Sequence, residues 1–275
     1  MKFAVGVVLY NCQLNKINRI IDEYYNFSKI IILVDNGSKN IEEVKENIKN
    51  KTKVALIKNN KNEGIAKALN QILNEANKNN VNFLLTLDQD SFLKYEDLEK
   101  MYKYINKNVA IVCPEILDLN KKKNKTIINE FEEIERCITS GSFMNLDVCN
   151  KIGQFEEKMF IDYVDFEYCK RIRLEGYKIL KIKGCFLKHE IGKRTARKFL
   201  GIDVYPTNHS GFRVYYYFRN MHYYYTKFKR NMSIKEKINE IVRMSWKYIS
   251  IILYEENKLE KLQKAKQGFK DAKKM

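Results

Sequence analysis

An α/β fold, with a mostly parallel central sheet, helices on both faces and a basic helical C-terminal appendage, is predicted for this 275-residue chain by three observations. Short apolar runs alternate with helical periodicity through the N-terminal part, each run stops at a polar turn, and the excess of positive charge is confined to the C-terminal part. With 45% apolar and 31% charged residues, the composition excludes a disordered chain and an integral membrane protein. Only Pro114 and Pro206 interrupt it, so no Pro-rich linker marks a boundary. One large domain over 1–225 and a basic amphipathic region over 226–275 are expected.

The elements follow in order. Phe3–Leu9 is a strand that carries the small residues Ala4 and Gly6 and ends at Tyr10-Asn11; the run is too short for a signal peptide. Leu14, Ile17, Ile20, Ile21, Tyr24 and Tyr25 recur at helical spacing. Lys29–Val34 is the second strand, closed by Asp35-Asn36-Gly37-Ser38, with a helix from about Ile41. Val54–Ile57 leads into Asn59–Gly64, after which Ile65, Leu69, Ile72, Leu73 and Ala76 mark a helical face. Phe83–Leu87 is the fourth strand, a helix follows from Lys94, and Val109–Pro114 is the next strand. Asn120–Lys125 reads as a surface loop, Glu130–Arg136 as an acidic stretch, Thr139–Met144 as small residues opening a strand, and Gly176–Ile182 as an alternating strand.

Strands that end in polar turns bring Tyr10, Asp35, Asn62 and Asp88 to one carboxyl edge, where α/β sheets bind ligands. No glycine-rich phosphate loop is present, so phosphate must be held by other means. The fourth strand ends in Asp88-Gln89-Asp90. Two carboxylates this close repel unless a cation neutralises them, and a hard divalent ion prefers such oxygen ligands. The same three residues read equally well as a solvated turn that caps the helix at Tyr95.

Val7-Val8-Leu9-Tyr10-Asn11, Val34-Asp35-Asn36-Gly37-Ser38 and Asn62-Glu63-Gly64-Ile65-Ala66 resemble the family 2 glycosyltransferases of the GT-A, or nucleotide-diphospho-sugar transferase, fold. Thr86-Leu87-Asp88-Gln89-Asp90-Ser91 resembles their bacterial rhamnosyltransferase branch. The resemblance implies that Val8, Tyr10, Asp35, Asn62, Gly64 and Asp88 hold the base and ribose of a nucleotide. It places Gly141, Ser142 and Asp162 beside the sugar and acceptor. Through a His-x-x-Gly string at His189-Glu190-Ile191-Gly192 it gives His189 to the metal site with Asp90, for Mg²⁺ or Mn²⁺.

A second acidic segment, Phe160 to Arg173, sets Asp162, Asp165 and Glu167 among aromatic and apolar residues. Carboxylates in the first turn of a helix starting near Val164 are favoured by its dipole alone. Transfer with inversion also needs a carboxylate to take the proton of the acceptor hydroxyl. Tyr163 to Arg171 resembles the family's Glu-Asp-x-Asp-x-x-x-Arg motif, which implies Asp165 as the catalytic base and Glu167 as the second acid. Val164 stands where the family has an acid, so Glu167 stays open as an alternative base.

Residues 1–167 carry 24 Lys+Arg against 25 Asp+Glu, whereas 168–275 carry 27 against 9. That end therefore expects an anionic partner. Lys193-Arg194-Thr195-Ala196-Arg197-Lys198 could bind diphosphate oxygens. The aromatic cluster Tyr215 to Tyr225 suits a membrane interface, and Ile234, Ile238, Ile241, Val242, Ser245, Ile249 and Ile252 form one face of an amphipathic helix. From Lys258 the chain is expected to fray. The six cysteines, at 12, 113, 137, 149, 169 and 185, show no Cys-x-x-Cys pair and read as reduced thiols.

The resemblance implies an inverting, metal-dependent transferase at the inner face of a bacterial cell membrane. It would move L-rhamnose from dTDP-rhamnose to a glycan or lipid-linked glycan, with UDP-galactose or UDP-glucose as the next donors. A module that binds nucleotide or membrane without turnover is the alternative of another class. No nucleic acid is expected as a partner, because no RNA-binding motif accompanies the basic residues; a nucleic-acid-binding protein is the third reading.

Overall fold

The first apolar run becomes β1 (Phe3–Leu9), buried at every position except Val8. A strand buried on both faces requires hydrogen-bonded neighbours at its edges and helices above and below. In the computed structural model, which describes residues 1–117, 130–189, 197–199 and 201–275, β1 receives both. The chain continues as α1 (Leu14–Tyr24), β2 (Ile30–Asp35), α2 (Ile41–Ile48), β3 (Val54–Lys58), α3 (Ile65–Lys78) and β4 (Phe83–Asp88). β2 and β4 flank β1 in parallel and β3 lies parallel outside β2. This part follows the expected alternation of strands and helices.

Beyond β4 come β5 (Ser91–Phe92), α4 (Tyr95–Tyr102), β6 (Val109–Leu117), β7 (Phe131–Glu133), β8 (Ser142–Asn145), α5 (Leu146–Ile152), α6 (Val164–Leu174) and β9 (Lys178–His189). The sheet order is β3-β2-β1-β4-β8-β6-β9-β5, with β7 beside β9. β8 runs antiparallel to both β4 and β6, β6 and β9 are parallel, and β5 and β7 are antiparallel to β9. The acidic stretch Glu130–Arg136 thereby acquires a role as an edge strand: Glu132 pairs with Lys181 and Glu133 with Lys178. Phe3, Val5, Val7, Leu33, Leu85, Phe143 and Leu180 belong to one apolar core, each fully buried aliphatic contributing roughly 1.5–3 kcal/mol.

Two compact units divide the chain: Met1–Glu157 with Asp165–Glu190, and Lys158–Val164 with Ile191–Met275. The boundary expected after 225 falls inside a helix of the second unit. That unit contains β10 (Arg197–Phe199) paired antiparallel with β11 (Ile202–Val204), then α7 (Gly211–Phe228), α8 (Ile234–Tyr254) and α9 (Lys258–Ala272). The loop expectation at Asn120–Lys125 lies outside the described residues, as do Lys193-Arg194-Thr195-Ala196, Gly192 and the side chain of His189.

The aromatic cluster is α7, and much of it packs inward. Val214, Phe218, Met221, Tyr224 and Phe228 are buried, with Val214 and Phe218 in a core shared with Ile251 and Ala265. The expected fraying from Lys258 is wrong: α9 is a helix of 15 residues. Its lysine-rich composition conceals a stripe of small residues, Ala265, Gly268 and Ala272, all buried. A Cβ on Gly268 would stand 2.5 Å from the carbonyl oxygen of Tyr215, so glycine is what lets α9 approach α7. Tyr215 Oη also donates to Asp271 at 3.1 Å.

α8 opens with a capping box, Ser233 and Glu236 bonding reciprocally. Its inward face is polar. Glu236, Glu240, Lys247, Ser250 and Ile251 are buried, while Ile234, Ile238, Ile241, Val242, Ile249 and Ile252 are exposed. The buried groups pair among themselves. Glu240 accepts from Tyr163 Oη at 3.0 Å. Glu255 takes Lys247 at 2.7 Å and Lys261 at 3.0 Å, and those ammonium groups also reach Thr207 and Asn208.

His209 follows Asn208 in the same unit. Burial, then the cations of Arg213 and Lys247, pushes its imidazole down to about 4. A histidine depressed in the fold binds fewer protons folded than unfolded below its ordinary pKa. Its contribution is therefore whole above pH ~6.5 and is lost as the pH falls toward 4. We expect the urea midpoint of His209→Gln to fall less between pH 7 and 4.5 than that of the natural chain; equal losses would locate the acid sensitivity elsewhere.

Candidate active site

Parallel pairing places the strand ends in one row. Val8 stands opposite Asp88 on one side and Val34 on the other, and Asp35 is level with Leu9 and Lys58. Side chains then lock the turns. Tyr10 N donates to Gln89 Oε1 at 2.8 Å, and Gln89 Nε2 returns to Tyr10 O at 3.1 Å, which joins the ends of β1 and β4. The ring of Tyr10 is half exposed at this edge.

Asn36 organises the neighbouring turns. Its amide nitrogen donates to Asn62 Oδ1 at 3.0 Å and to Gly64 O at 3.2 Å. Its oxygen accepts from Glu63 N at 2.9 Å and from Asn59 Nδ2 at 3.2 Å. The turn after β2 can lie this close only because residue 37 is glycine: its φ is +85°, and a Cβ would come within 2.6 Å of Lys61 backbone. Asn62 Oδ1 also accepts from Gly64 N at 3.0 Å, fixing the start of α3. The sequence marked Asn62 and Gly64 but gave Asn36 and Gln89 no task, although both lie inside the strings quoted above.

Asp35 is fully buried. Its Oδ2 accepts from Gly37 N at 3.2 Å and Ser38 N at 3.1 Å, whereas Oδ1 accepts no hydrogen bond from the described residues. Burying a carboxylate oxygen without a donor is costly, which makes this atom a natural acceptor for a ligand N–H.

Across β4, Ser140 Oγ accepts from Asp88 N at 3.0 Å and Gly141 N donates to Thr86 O at 2.7 Å. Ser142 is buried, and its hydroxyl donates to Ile138 O at 2.7 Å. Ser142, Thr139 and Asp165 line one small hollow of about 10 Å³, closed by apolar groups and by Cys137 and Cys169, with room for about one water. Thus the segment predicted to face the sugar and the predicted base adjoin the same space.

Asp165 and Glu167 share the first turn of α6 and differ in environment. Asp165 is half-buried at the hollow, and its Oδ1 accepts from Phe166 N at 2.9 Å. Glu167 is fully buried, with both oxygens engaged by Arg171 at 2.9–3.0 Å. Arg171 also donates to Ile152 O at 2.8 Å and Gln154 O at 2.7 Å, so this pair ties α6 to the end of α5. Asp162 belongs to the second unit. There Arg213 holds its carboxylate at 3.0–3.3 Å and Asn220 Nδ2 donates to the carbonyls of Ile161 and Asp162 at 2.7 and 3.0 Å. These contacts offset the left-handed backbone of Asp162 and Tyr163, φ 64° and 66°. Sequence reasoning did not single out Arg213 or Asn220 for this, since only the fold returns them to Asp162.

Asp88 and Asp90 are half-buried at the end of β4. The register of β5 on β9 sets Ser91 opposite His189, which brings the backbone of His189 beside the residue following Asp90. No group of three or more His, Cys, Asp or Glu side chains among the described residues could hold a metal ion. Asp90 carries a carboxylate, the donor type that suits Mg²⁺ and Mn²⁺, while the side chain of His189 lies outside the described residues.

The family model for glycosyl transferase family 2 matches residues 4–156, more than half of the chain. The chain belongs to glycosyl transferase family 2. It is 30% identical to dTDP-rhamnosyl transferase RfbF of Shigella flexneri over 94% of this chain and 90% of that protein. Among solved structures, S. aureus TarS 1–349 is similar over 99% of this chain and 81% of that one, with a TM-score of 0.60 and 15% identity. GalNAc-T7, crystallised with UDP, GalNAc and Mn²⁺, matches 82% of this chain and 48% of its own, with a TM-score of 0.58 and 15% identity. The fold is GT-A, and the protein is a glycosyltransferase.

In this family 2 enzyme the two acids of α6 are expected to separate by variant. Glu167→Ala leaves Arg171 without its carboxylate and should cost about 3 kcal/mol of unfolding free energy, measured by urea denaturation. Asp165→Asn should change stability by less than about 1 kcal/mol. Equal losses would remove the distinction.

Proposed function

We propose that this glycosyltransferase takes L-rhamnose from dTDP-rhamnose and passes it, with inversion, to a hydroxyl of a glycan or lipid-linked glycan in cell-surface polysaccharide synthesis. The observation that carries the donor is the 30% identity, along 94% of the chain, with a dTDP-rhamnosyl transferase. The edge of the sheet supports a pyrimidine nucleotide. Asp35 Oδ1, buried and accepting nothing from the described residues, suits the ring N–H of thymine or uracil, while Tyr10, Asn62, Gly64, Val8 and Asp88 surround base and ribose.

Asp165 takes the proton of the acceptor hydroxyl as that oxygen attacks the anomeric carbon from the face opposite the diphosphate. Attack from that face inverts the centre. Glu167 is held by Arg171 and serves Asp165 by fixing the helix that carries it. Gly141 and Ser142 bound the sugar side. Asp90 and His189 would hold Mg²⁺ or Mn²⁺, which when bound supplies positive charge to the leaving diphosphate.

UDP-galactose or UDP-glucose is the second reading of the donor, favoured by the UDP in the GalNAc-T7 structure. Thermal unfolding with dTDP, UDP, GDP and ADP, each with and without Mn²⁺, separates the two. A ligand at about 100 times its Kd adds ~2.7 kcal/mol. We expect that gain with dTDP and Mn²⁺; a shift with UDP alone would move the donor to the UDP sugars, and no shift with any would refute nucleotide binding. Asp165→Asn should keep the dTDP shift and lower kcat by roughly 10²–10⁴-fold, read as dTDP released from dTDP-rhamnose in the presence of acceptor. Unchanged turnover would place the base at another residue.

A further inference from the structure

We infer that the outward face of α8 is a docking surface for an anionic phospholipid bilayer. The helix is inverted relative to an ordinary surface helix, which hides its apolar stripe and shows its charges. Here Ile234 is 76% exposed, Val242 57% and Ile238 54%, with Ile241, Ile249 and Ile252 also exposed, while Glu240 and Lys247 are buried. The polar inward face is engaged by Tyr163, Glu255 and Thr207, with the second oxygen of Glu240 3.9 Å from Arg243 Nε, so the helix is seated by that face and the apolar stripe is surplus to its packing. Beside Ile241 the surface opens into an apolar cavity of about 290 Å³, lined mainly by Met221, Tyr225, Met244 and Phe269.

Charge and area decide what covers the stripe. Residues 191–275 carry 20 Lys+Arg against 7 Asp+Glu, and the 100° step of a helix sets Lys235 and Lys237 on the two margins of the stripe. A second copy of this chain would bring like charges together. It would also gain little: the stripe offers the six aliphatic side chains named above on one helix of 21 residues, against the roughly 20–30 residues a side of a standard interface. An anionic bilayer meets both features, because the isoleucines enter the boundary of the acyl chains while the lysines reach the headgroups. No helix among the described residues is long and apolar enough to cross a membrane, and α8 would lie along the surface.

The test is co-sedimentation of the full chain with vesicles of phosphatidylglycerol and phosphatidylcholine in equal parts, against pure phosphatidylcholine. Binding to the anionic vesicles is expected to be at least tenfold tighter and to weaken with salt. Ile238→Glu/Ile249→Glu, placed where both side chains are exposed, should reduce it more than tenfold with an unchanged Tm. If that pair lowers Tm, Ile234→Ser/Ile252→Ser provides the same reading with a milder change. Lys235→Ser/Lys237→Ser should weaken binding severalfold and flatten its salt dependence. The proposal is overturned if the natural chain ignores anionic vesicles or if the isoleucine variants sediment as it does. A dimer that the glutamate pair dissolves, in a chain without vesicle binding, would also overturn it by assigning the face to a second copy. Nucleotide binding is untouched by these variants, so the outcome stands apart from that of the donor.

Discussion

Everything the first unit offers a ligand depends on the in-register parallel pairing of β2, β1 and β4. Parallel strands all end on the same side, and the register here leaves Asp35 and Asp88 within one residue of the same row. A slip of one residue would turn alternate side chains to the opposite face, burying what now points to the edge. The pairing is held by apolar side chains on both faces of β1, so the burial that stabilises the sheet also sets the geometry of its rim. Asn36 and Gln89 add little apolar burial. They convert a row of strand ends into a single rim.

The two acids of α6 illustrate how environment divides labour between similar groups. A fully buried carboxylate gripped by a forked guanidinium is held in one orientation. A half-buried one beside a small hollow can meet a hydroxyl. The helix dipole favours both positions equally, so helix geometry does not separate them. What separates them is that Arg171 lies four residues after Glu167 and faces it along the helix.

The fold was largely legible in the sequence because its signals are local: apolar runs ending in turns, and helical spacing between them. Strand ends such as Asp35 and Asp88 could be placed on one edge by that logic alone. The roles of Asn36, Arg213 and Asn220 could not, because their partners are distant in sequence or are backbone atoms. The C-terminal part was less legible for a different reason. Periodicity shows that a helix has an apolar face but does not say which way that face turns; in α8 the polar face is the inner one, since Glu240, Lys247 and Glu255 find buried partners. In α9 the packing surface is made of alanine and glycine, which carry almost no hydropathy signal against a background of lysine.

Asn36 has consequences for binding kinetics and thermodynamics. With both amide hydrogens and its oxygen already engaged by Asn59, Asn62, Glu63 and Gly64, the turns that would cradle a base stand assembled before any ligand arrives. A loop that is already ordered does not surrender conformational freedom on association. Binding at this rim should therefore be governed by encounter and by the contacts themselves, with no slow folding step of the loop in between.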